Sequence, residues 1–211
     1  MIDPTAAIDS TATIEATATV EVGVAVGAGT AIWDHVHVRG PAVIGSDCII
    51  GEKTYIAYDV AIGDRVKVNA FVYVCARVTI EDGVMVGARV TFTNDRFPRA
   101  TAGDLQRLAA SEPGPDTVAT TVGRGATIGA AAVIGPGAHI GPFAMVGMAS
   151  VVTAPVAPHH LVVGSPAHTI SYVCRCGRPF ARVGDEGTFD CGHCARSYDL
   201  REGTVVEVGG A

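Results

Sequence analysis

The stretch VIGSDCIIGEKTYIAYDVAIGDRVKVNAFVYV, residues 43–74, repeats one pattern every six residues. A large apolar residue occupies the same position of every unit from residue 8 to residue 92: Ile8, Ile14, Val20, Val26, Ile32, Val38, Ile44, Ile50, Ile56, Ile62, Val68, Val74, Ile80, Val86 and Phe92. A small or β-branched residue stands two positions before each of them. A helix would need spacings of three and four, and an ordinary amphipathic strand would alternate. The six-residue period therefore predicts short strands, each followed by a bend.

This repeat resembles that of the hexapeptide-repeat acyltransferases. The resemblance implies an all-β fold, a left-handed parallel β-helix of triangular section, in which three hexapeptides make one coil and equivalent positions of successive coils stack. The pattern resumes at Val122 and continues to Val152, so 21 hexapeptides give about seven coils. We expect this domain to cover residues 1–170, with a long loop at about 94–119. A small C-terminal module would cover residues 171–211.

The composition limits the possible partners. The chain has 211 residues, which suits one domain with a small appendage, and its formal net charge is -6. That charge argues against a nucleic-acid partner, because a phosphate backbone favours clustered Lys and Arg. No apolar run approaches the roughly 18 residues of a membrane span, so no membrane partner is expected. Residues 1–16 carry acidic residues and no basic cluster, unlike a signal peptide, which predicts a cytoplasmic protein.

Stacking of every third hexapeptide assigns the outward side chains to three faces. One face is apolar and rich in glycine, and such a surface favours self-association in water. Another carries polar and aromatic side chains in two adjacent columns: Thr19, His37, Tyr55, Tyr73, Thr91 and Glu21, Arg39, Ala57, Cys75, Thr93. Tyrosine and threonine are ordinary strand residues, so each could simply face solvent. Their concentration beside a loop that interrupts the repeat predicts a binding site instead.

The interruption at residues 94–119 reads NDRFPRATAGDLQRLAASEPGPDTVA and contains three prolines. A loop of this length inside a compact domain is usually functional or disordered. Leu105, Leu108, Ala109 and Ala110 are compatible with a short helix within it.

Three runs of sequence narrow the resemblance: IWDHVHVRGPAVIG (32–45), IGDRVKVN (62–69) and IEDGVMVGARVTFTNDRFPRA (80–100). Over about residues 20–172 the chain resembles the bacterial nucleotide-sugar N-acetyltransferases, and the segment FTND-x-x-PRA is the most specific part. The resemblance implies transfer of an acetyl group from acetyl-CoA to the amino group of a UDP- or dTDP-linked amino sugar. It also implies a homotrimer with active sites between neighbouring subunits.

The same resemblance suggests a role for each matching residue. Asn94 would lie beside the substrate amine, and His37 is the first candidate for a general base because its neutral form exists near pH 7. Asp95 is the second candidate, and the reaction could also proceed without a side-chain base. The candidate catalytic residues are therefore Asn94, His37 and Asp95. The candidate substrate-binding residues are Arg39, whose planar fork pairs well with pyrophosphate oxygens, Asn69, Tyr55, Tyr73 and Arg99.

Residues 125–170 resemble the CoA-binding end of that family. The candidate cofactor contacts are Gly129, Gly147, Ala149, Ser150 and His168. Basic residues common in relatives are missing, because Ala154 and Pro155 follow Thr153, and His168 replaces an Arg after Pro166 and Ala167. The backbone with Arg107 or Arg124 could hold CoA instead. Weak CoA binding, another acyl donor and lost activity are the alternatives.

Four cysteines cluster near the C-terminus as two pairs, Cys174 with Cys176 and Cys191 with Cys194, joined by the segment 177–190. This spacing is close to that of two thiolate knuckles closing one tetrahedral zinc site. A segment of about 35 residues cannot bury a large core, so a metal would supply much of its folding free energy. Four thiolates leave no open coordination position. We therefore predict a structural Zn2+ ion, with free thiols as the alternative.

Other functions on this fold stay open. A hydratase resembling the γ-type carbonic anhydrases would need three converging histidines, and the spacing of His35 and His37 does not supply them. An acyltransferase with a different donor or acceptor, or a non-catalytic trimeric binding or assembly module, would use the same scaffold. His139, His159 and His160 are assigned to turns or to the surface.

Overall fold

A computed structural model of the chain describes residues 1–101, 103, 105–109, 113–114 and 117–210. Within these residues, short strands wind into a parallel β-helix with three sheets. The first sheet contains β1 (Ala7–Ile8), β4 (Val24–Val26), β7 (Ala42–Ile44), β10 (Val60–Ile62), β13 (Val78–Ile80), β16 (Thr120–Val122) and β19 (His139–Ile140). The second contains β2 (Thr13–Ile14), β5 (Ala31–Ile32), β8 (Ile49–Ile50), β11 (Lys67–Val68), β14 (Met85–Val86), β17 (Thr127–Ile128) and β20 (Met145–Val146). The third contains β3 (Thr19–Val20), β6 (His37–Val38), β9 (Tyr55–Ile56), β12 (Tyr73–Val74), β15 (Thr91–Phe92), β18 (Val133–Ile134) and β21 (Val151–Val152).

Hydrogen-bonded neighbours in each sheet belong to successive coils. His37 pairs with Tyr55, and Tyr55 pairs with Tyr73, so strand partners are three hexapeptides apart, as predicted. Each sheet has seven such strands, and isolated bridges from Ile2 to Val20 and from Ile140 to Val156 add part of a turn at each end. The prediction of an all-β parallel β-helix with about seven coils is confirmed.

The core fills the space between the three sheets. The large apolar residue of each hexapeptide points inward, and Ile56, Val86 and Phe92 are fully buried. Each such side chain stabilises the fold by about 1.5–3 kcal/mol relative to exposure. A small inward position can hold a hydroxyl when a backbone group forms a hydrogen bond with it. Thr30 is an example, because its Oγ1 donates to the Gly45 carbonyl at 2.7 Å.

The chain turns a corner between successive sheets. At the corner between the second and third sheets, six non-glycine residues adopt left-handed backbone angles: His35 (φ 57°), Lys53 (φ 56°), Phe71 (φ 61°), Arg89 (φ 61°), Ala131 (φ 59°) and Ala149 (φ 56°). Two residues earlier the layers nearly touch, because a Cβ on Gly51 would lie 2.6 Å from the carbonyl carbon of Asn69. The chain enters each strand of the third sheet at this second–third corner and leaves it at the third–first corner, near Arg39 and Asn94. These two sides of the third sheet are called its edges below.

The long loop leaves the β-helix at the third–first corner. Strand partners across it, such as Val78 and Thr120, lie much further apart in sequence than the usual three hexapeptides. The Asn94 carbonyl accepts a hydrogen bond from the Val118 amide, and Arg77 Nη1 donates to the Thr117 carbonyl, so both loop ends are held together. The described residues 105–109 are not helical, so the predicted short helix is wrong for them; Ala110 lies outside the described residues. The described residues contain no candidate membrane-spanning helix.

The C-terminal tail continues the second sheet. β22 (His160–Gly164) pairs in parallel with β20 and antiparallel with β23 (Ala167–Val173), which pairs with β24 (Pro179–Arg182). A separate antiparallel sheet follows, formed by β25 (Gly187–Asp190), β26 (Ser197–Arg201) and β27 (Thr204–Gly209). β23 runs across the predicted boundary at residues 170 and 171, so the backbone passes from β-helix to tail inside one strand.

Aromatic contacts hold the tail against the last coil. His159 is 7% exposed and lies between the rings of Phe143 and Tyr198, with centroids 5.3 Å from each. The Arg175 guanidinium lies 4.6 Å from the Phe143 ring centroid. His160 contacts the Gly203 carbonyl at 2.8 Å. The assignment of His159 to a turn or the surface is therefore incomplete, because this turn residue is buried by the tail.

Truncating a core residue tests the inward assignment. Val86 is fully buried and Val22 is 61% exposed, which makes them a matched pair. We expect Val86→Ala to lower the free energy of unfolding by about 2 kcal/mol, through lost burial and a small cavity. Val22→Ala should change it by less than about 0.5 kcal/mol. Denaturant unfolding followed by circular dichroism measures both, and equal effects would contradict the assignment.

Candidate active site and metal centre

The outward residues of the third sheet form one continuous ladder. The His37 and Tyr55 rings meet edge to face with centroids 5.3 Å apart, and Tyr55 stacks on Tyr73 at 5.5 Å with an interplanar angle of 12°. Each ring sits above its neighbour because strand register places it there. The predicted column of His37, Tyr55 and Tyr73 is therefore present as a contiguous aromatic surface.

Glu21 holds the His37 end of this ladder, which is its lower end. The sequence interpretation gave Glu21 no such role. Its carboxylate accepts a hydrogen bond from His37 Nε2 at 2.8 Å and lies 2.8–2.9 Å from Arg39 Nε. Because an ionised carboxylate can only accept, neutral His37 must carry its proton on Nε2, which leaves the Nδ1 lone pair free. The available signal for this pair was the opposite charge of Glu21 and Arg39 at equivalent positions of successive coils.

Arg39 is also held by two tyrosines. Its Nη1 donates to the Tyr55 hydroxyl at 3.1 Å, its Nη2 donates to the Tyr58 hydroxyl, and its guanidinium carbon lies 4.4 Å from the Tyr58 ring centroid. The charge of Arg39 is thus balanced by Glu21 and its planar group is fixed. A cation already paired in this way is less suited to a pyrophosphate than the sequence alone suggests.

The structure does not bring His37 to Asn94. His37, Tyr55, Tyr73 and Thr91 occupy successive layers, and Asn94 follows Thr91 in the same coil. With about 4.8 Å between layers, His37 lies roughly 14 Å below the Asn94 layer. One amine cannot contact both side chains of a single chain, so this geometry does not support His37 as the base for a reaction at Asn94.

Asn94 sits where the loop begins. Its Nδ2 donates to the Ala76 carbonyl at 3.3 Å, which fixes the carboxamide, while its Oδ1 accepts no hydrogen bond from the residues that the structure describes. Asp95 is exposed, and its Oδ1 accepts from the Phe97 amide at 2.9 Å. Arg99 is exposed and donates to the neighbouring Pro98 carbonyl. Asn94 and Asp95 therefore form one rim, and Arg99 extends outward from it.

Asn69 lies at the opposite edge of the third sheet, at the second–third corner. There it lines a groove of about 490 Å³ together with Trp33 and Glu52. The third sheet separates it from Arg39 within one chain. The predicted substrate-binding residues thus occupy both edges of the aromatic ladder.

Four of the predicted CoA contacts, Gly129, Gly147, Ala149 and Ser150, also lie at the second–third corner, whereas His168 lies in β23. Gly129 and Gly147 stack closely, since a Cβ on Gly129 would lie 2.7 Å from the Gly147 carbonyl carbon. Ser150 is 1% exposed, and its Oγ accepts a hydrogen bond from the Gly164 amide, so its hydroxyl has an internal role. His168 is exposed and available to a ligand. Arg124 is held through its backbone amide by Glu81, at the corner between the first and second sheets.

Two cysteines of the β-helix belong to the core. Cys48 and Cys75 are buried, and burial raises the pKa of the Cys75 thiol to about 12. A thiol that stays protonated at neutral pH is a poor nucleophile. Neither cysteine offers a covalent route for acyl transfer.

The four C-terminal cysteines converge. All four Sγ atoms lie within 4.8 Å of one another, with Cys174 and Cys194 at 3.3 Å and Cys176 and Cys191 at 3.7 Å. Sulfur atoms of a tetrahedral zinc–thiolate site lie about 3.8 Å apart for Zn–S bonds of about 2.3 Å. Within the part of the chain that the structure describes, no other group of His, Cys, Asp or Glu meets this criterion.

Hydrogen bonds around these sulfurs favour thiolates. The Arg196 backbone amide lowers the pKa of Cys194 to about 6, and the His193 amide lowers that of Cys191. Burial raises the pKa of Cys174 to about 12, although the Tyr198 hydroxyl donates to this sulfur at 3.1 Å. A cation would be needed to stabilise a thiolate at Cys174. The donor set and its surroundings therefore fit Zn2+.

Sequence comparison identifies the repeat. The model of the bacterial transferase hexapeptide (six repeats) matches residues 59–94, and the model of the hexapeptide repeat of succinyl-transferase matches residues 41–76 and 119–154. The chain therefore contains hexapeptide repeats over these residues. No curated protein sequence matches it.

Several solved structures are similar to this chain. The UDP-N-acetylglucosamine O-acyltransferase of Moraxella catarrhalis is 20% identical with a TM-score of 0.50, covering 81% of this chain and 74% of that one. The UDP-N-acetylglucosamine acyltransferase of Campylobacter jejuni is 15% identical with a TM-score of 0.46, covering 82% and 75%. A mutant of AntD, an N-acyltransferase from Bacillus cereus in complex with dTDP and coenzyme A, is 20% identical with a TM-score of 0.44, covering 81% and 84%. Of these three, the Moraxella catarrhalis structure reaches a TM-score of 0.50, and at 20% identity that likeness concerns the fold alone.

The Glu21 network predicts a pH dependence of stability. Partial burial raises the pKa of Glu21, but hydrogen bonds from His37 and Arg39 outweigh burial and hold the pKa below its ordinary 4.5. A lowered folded-state pKa gives stabilisation that is present above about pH 4.5 and is lost as the pH falls through the folded-state value. We expect the melting temperature of the wild type to fall more steeply between about pH 5 and pH 3 than that of Glu21→Gln.

A matched substitution separates this network from a general loss of negative charge. Glu202→Gln makes the same chemical change on an exposed turn of the tail and should leave the melting temperature at neutral pH unchanged. Glu21→Gln should lower it, because Arg39 loses its counter-charge. Identical pH profiles for the wild type and Glu21→Gln would refute the network.

Proposed function

We propose that this protein is an acyltransferase that moves an acetyl group from acetyl-CoA to the amino group of a UDP- or dTDP-linked amino sugar. One observation carries the proposal. Asn94 is fixed at the rim of the aromatic ladder with its Oδ1 unengaged among the described residues, at the point where the long loop begins. The FTND-x-x-PRA segment resembles nucleotide-sugar N-acetyltransferases at this same position.

The chemistry needs an oriented, neutral amine. Asn94 Oδ1 would accept an N–H of the substrate amine, directing the nitrogen lone pair at the thioester carbonyl. A C–N bond forms, the C–S bond breaks, CoA leaves as a thiolate, and the amine loses one proton. Backbone N–H groups at the coil corners would stabilise the developing oxyanion.

Asp95 is the better-placed proton acceptor. It adjoins Asn94, and one of its oxygens is fixed by the Phe97 amide while the carboxylate faces solvent. It would take the amine proton and pass it to water or to the CoA thiolate. His37 would instead help to order the lower part of the ladder through Glu21, because it lies roughly 14 Å away along the helix axis.

The aromatic ladder would form the floor beneath the acceptor. Tyr55 and Tyr73 present stacked rings beside the Asn94 rim, and sugar rings pack well on such surfaces. Arg99 would contact the acceptor from the loop. The acetyl-CoA chain would pass the closely stacked Gly129 and Gly147 and the exposed His168 of a neighbouring subunit.

A homotrimer would complete this site. The first sheet presents Ala25, Val43 and Ala61 in one outward row, and Val43 is 54% exposed. Burying such a row against another copy removes apolar surface from water. Sedimentation equilibrium of the full chain measures the assembly, and a monomer at micromolar concentration would contradict it.

Acetyl transfer is tested by thiol release from acetyl-CoA with UDP- and dTDP-linked 3-amino sugars. We expect turnover by the wild type and a loss of about 100-fold in kcat/KM for Asn94→Ala, because a misplaced nucleophile loses its oriented attack. Asp95→Asn should lose less than Asn94→Ala, with a shifted pH profile. His37→Gln should lose least of the three.

Two outcomes would count against this function. Turnover of maltose or serine, but of no amino-sugar nucleotide, would show that the proposed acceptor is wrong. If neither CoA nor any nucleotide sugar shifts the melting temperature, the result would favour a non-catalytic trimeric binding module over an enzyme. A loss of kcat/KM in His37→Gln equal to that in Asn94→Ala would show that His37 acts at the reacting centre.

We further propose that Cys174, Cys176, Cys191 and Cys194 hold a structural Zn2+ ion. The support is their mutual approach within 4.8 Å and the thiolate-stabilising amides around Cys191 and Cys194. A bound Zn2+ ion would link the turn after β23 to the turn after β25. Because Tyr198 contacts both Cys174 and the ring of His159, the ion would also stabilise the packing of the tail on the last coil.

Metal analysis tests the zinc site. We expect one zinc per chain in the full-length wild type by mass spectrometry, and release of that zinc together with a lower melting temperature in a strong chelator. Cys191→Ser should lose the zinc, whereas Cys75→Ala, a buried thiol of the β-helix, should retain it. A wild type expressed with ample zinc but carrying none would show that the thiols are free.

A further inference from the structure

The second–third corner carries a column of side chains that the proposed function leaves unused. Lys53, Phe71 and Arg89 occupy equivalent positions in three successive coils. Their backbone amides bind the coil below in the same way, with Lys53 N to the Asp34 carbonyl, Phe71 N to Glu52 and Arg89 N to Ala70 at 2.9–3.0 Å. All three side chains are exposed, and Phe71 is 48% exposed.

The two cations of this column lie outside the ion pairs formed among the described residues. Neither Lys53 nor Arg89 forms an ion pair with any residue that the structure describes. Lys53 Nζ instead lies 5.0 Å from the centroid of the Phe71 ring. Five other described arginines meet carboxylates, namely Arg39, Arg65, Arg175, Arg196 and Arg201, whereas others such as Arg77 and Arg124 do not. In a chain of net charge -6, two unpaired cations two layers apart form a local site for an anion.

A groove with complementary chemistry adjoins this column. It measures about 490 Å³ and is lined by Trp33, Glu52 and Asn69 among small and aliphatic residues. Trp33 is 45% exposed and offers a flat apolar surface. Glu52 can accept hydrogen bonds from ribose hydroxyls, and the Asn69 carboxamide can both donate to and accept from a base edge.

We propose that this corner binds a nucleoside diphosphate group. The base lies in the groove against Trp33, the ribose faces Glu52, and the diphosphate lies between Lys53 and Arg89 beside Phe71. Arg39 cannot take this role without giving up Glu21, whereas Lys53 and Arg89 give up no ion pair.

The position suits a nucleotide-linked acceptor, and in that respect the inference rests on the proposed function. Arg89 and Asn94 flank Thr91 in one coil, at opposite edges of the third sheet. Five residues of extended chain span roughly 16 Å, about the length of a nucleotide sugar. An acceptor lying across Tyr73 would thus place its amine at Asn94 and its diphosphate at Arg89. The ADP part of CoA carries the same chemistry and is the other possible source.

Trp33 gives a direct signal, because it is the one tryptophan of the chain. The full-length protein is titrated with UDP, dTDP, GDP, CoA, uridine and inorganic pyrophosphate while tryptophan fluorescence is recorded. We expect a saturable change with nucleoside diphosphates and much weaker binding of uridine. Lys53→Gln combined with Arg89→Gln should raise the Kd by about tenfold or more, since charge-assisted contacts to phosphate are lost. Arg65→Gln, an exposed cation at the corner between the first and second sheets, should keep the Kd within about twofold.

The outcomes separate the possibilities. A response to UDP, dTDP or GDP supports the acceptor nucleotide, and a response to CoA alone supports the same site with the ADP group as its ligand. No response to any of them, equal affinity for uridine and UDP, or unchanged binding by a folded double variant would overturn the site. The titration contains no acyl transfer, so binding without turnover would refute the proposed activity and leave this site standing. Full turnover by the double variant at low acceptor concentration would refute this binding site and leave the proposed activity standing.

Discussion

The whole molecule depends on parallel backbone pairing between equivalent positions of successive coils, three hexapeptides apart. Each coil hydrogen-bonds to the next, so a side chain's neighbours are set by its position within the hexapeptide. Inward positions build one continuous apolar core from Ala18 to Val162. Outward positions become columns, and a column of polar or charged residues is a surface whose chemistry can be read layer by layer.

This constraint explains which parts could be predicted. The six-residue spacing predicts the short strands, and the family resemblance supplies the β-helix with three hexapeptides in each coil. Together they predict the coil number and the ladder of His37, Tyr55 and Tyr73, because each coil before the long loop has the same length. The same arithmetic separates His37 from Asn94 by three layers, so their proposed partnership could have been rejected from the sequence. What spacing does not give is side-chain reach. Glu21 meets His37 and Arg39 through rotamers that only coordinates define.

Charge balance then divides the surface around the third sheet. At the third–first corner, Glu21 neutralises Arg39, and two tyrosine hydroxyls complete the arrangement, which makes it rigid. At the second–third corner, Lys53 and Arg89 form no ion pair with the described residues. A fixed, neutral network is suited to shaping a site, because it presents the same surface before and after binding. Exposed, unpaired cations are suited to capturing an anion, because binding breaks no internal ion pair.

The tail addresses a problem that every parallel β-helix has at its ends, where the last coil leaves apolar side chains and backbone groups without a following layer. Here β22 adds to β20, and its antiparallel partners β23 and β24 continue the second sheet beyond the last coil. The rings of Phe143, His159 and Tyr198 fill the junction, and Tyr198 reaches the sulfur of Cys174. The four thiols therefore lie close to the layer that closes the β-helix, since Cys174 directly follows the end of β23. This arrangement was hidden from sequence reasoning, since the tail departs from the hexapeptide period and its contacts depend on how the strands turn back.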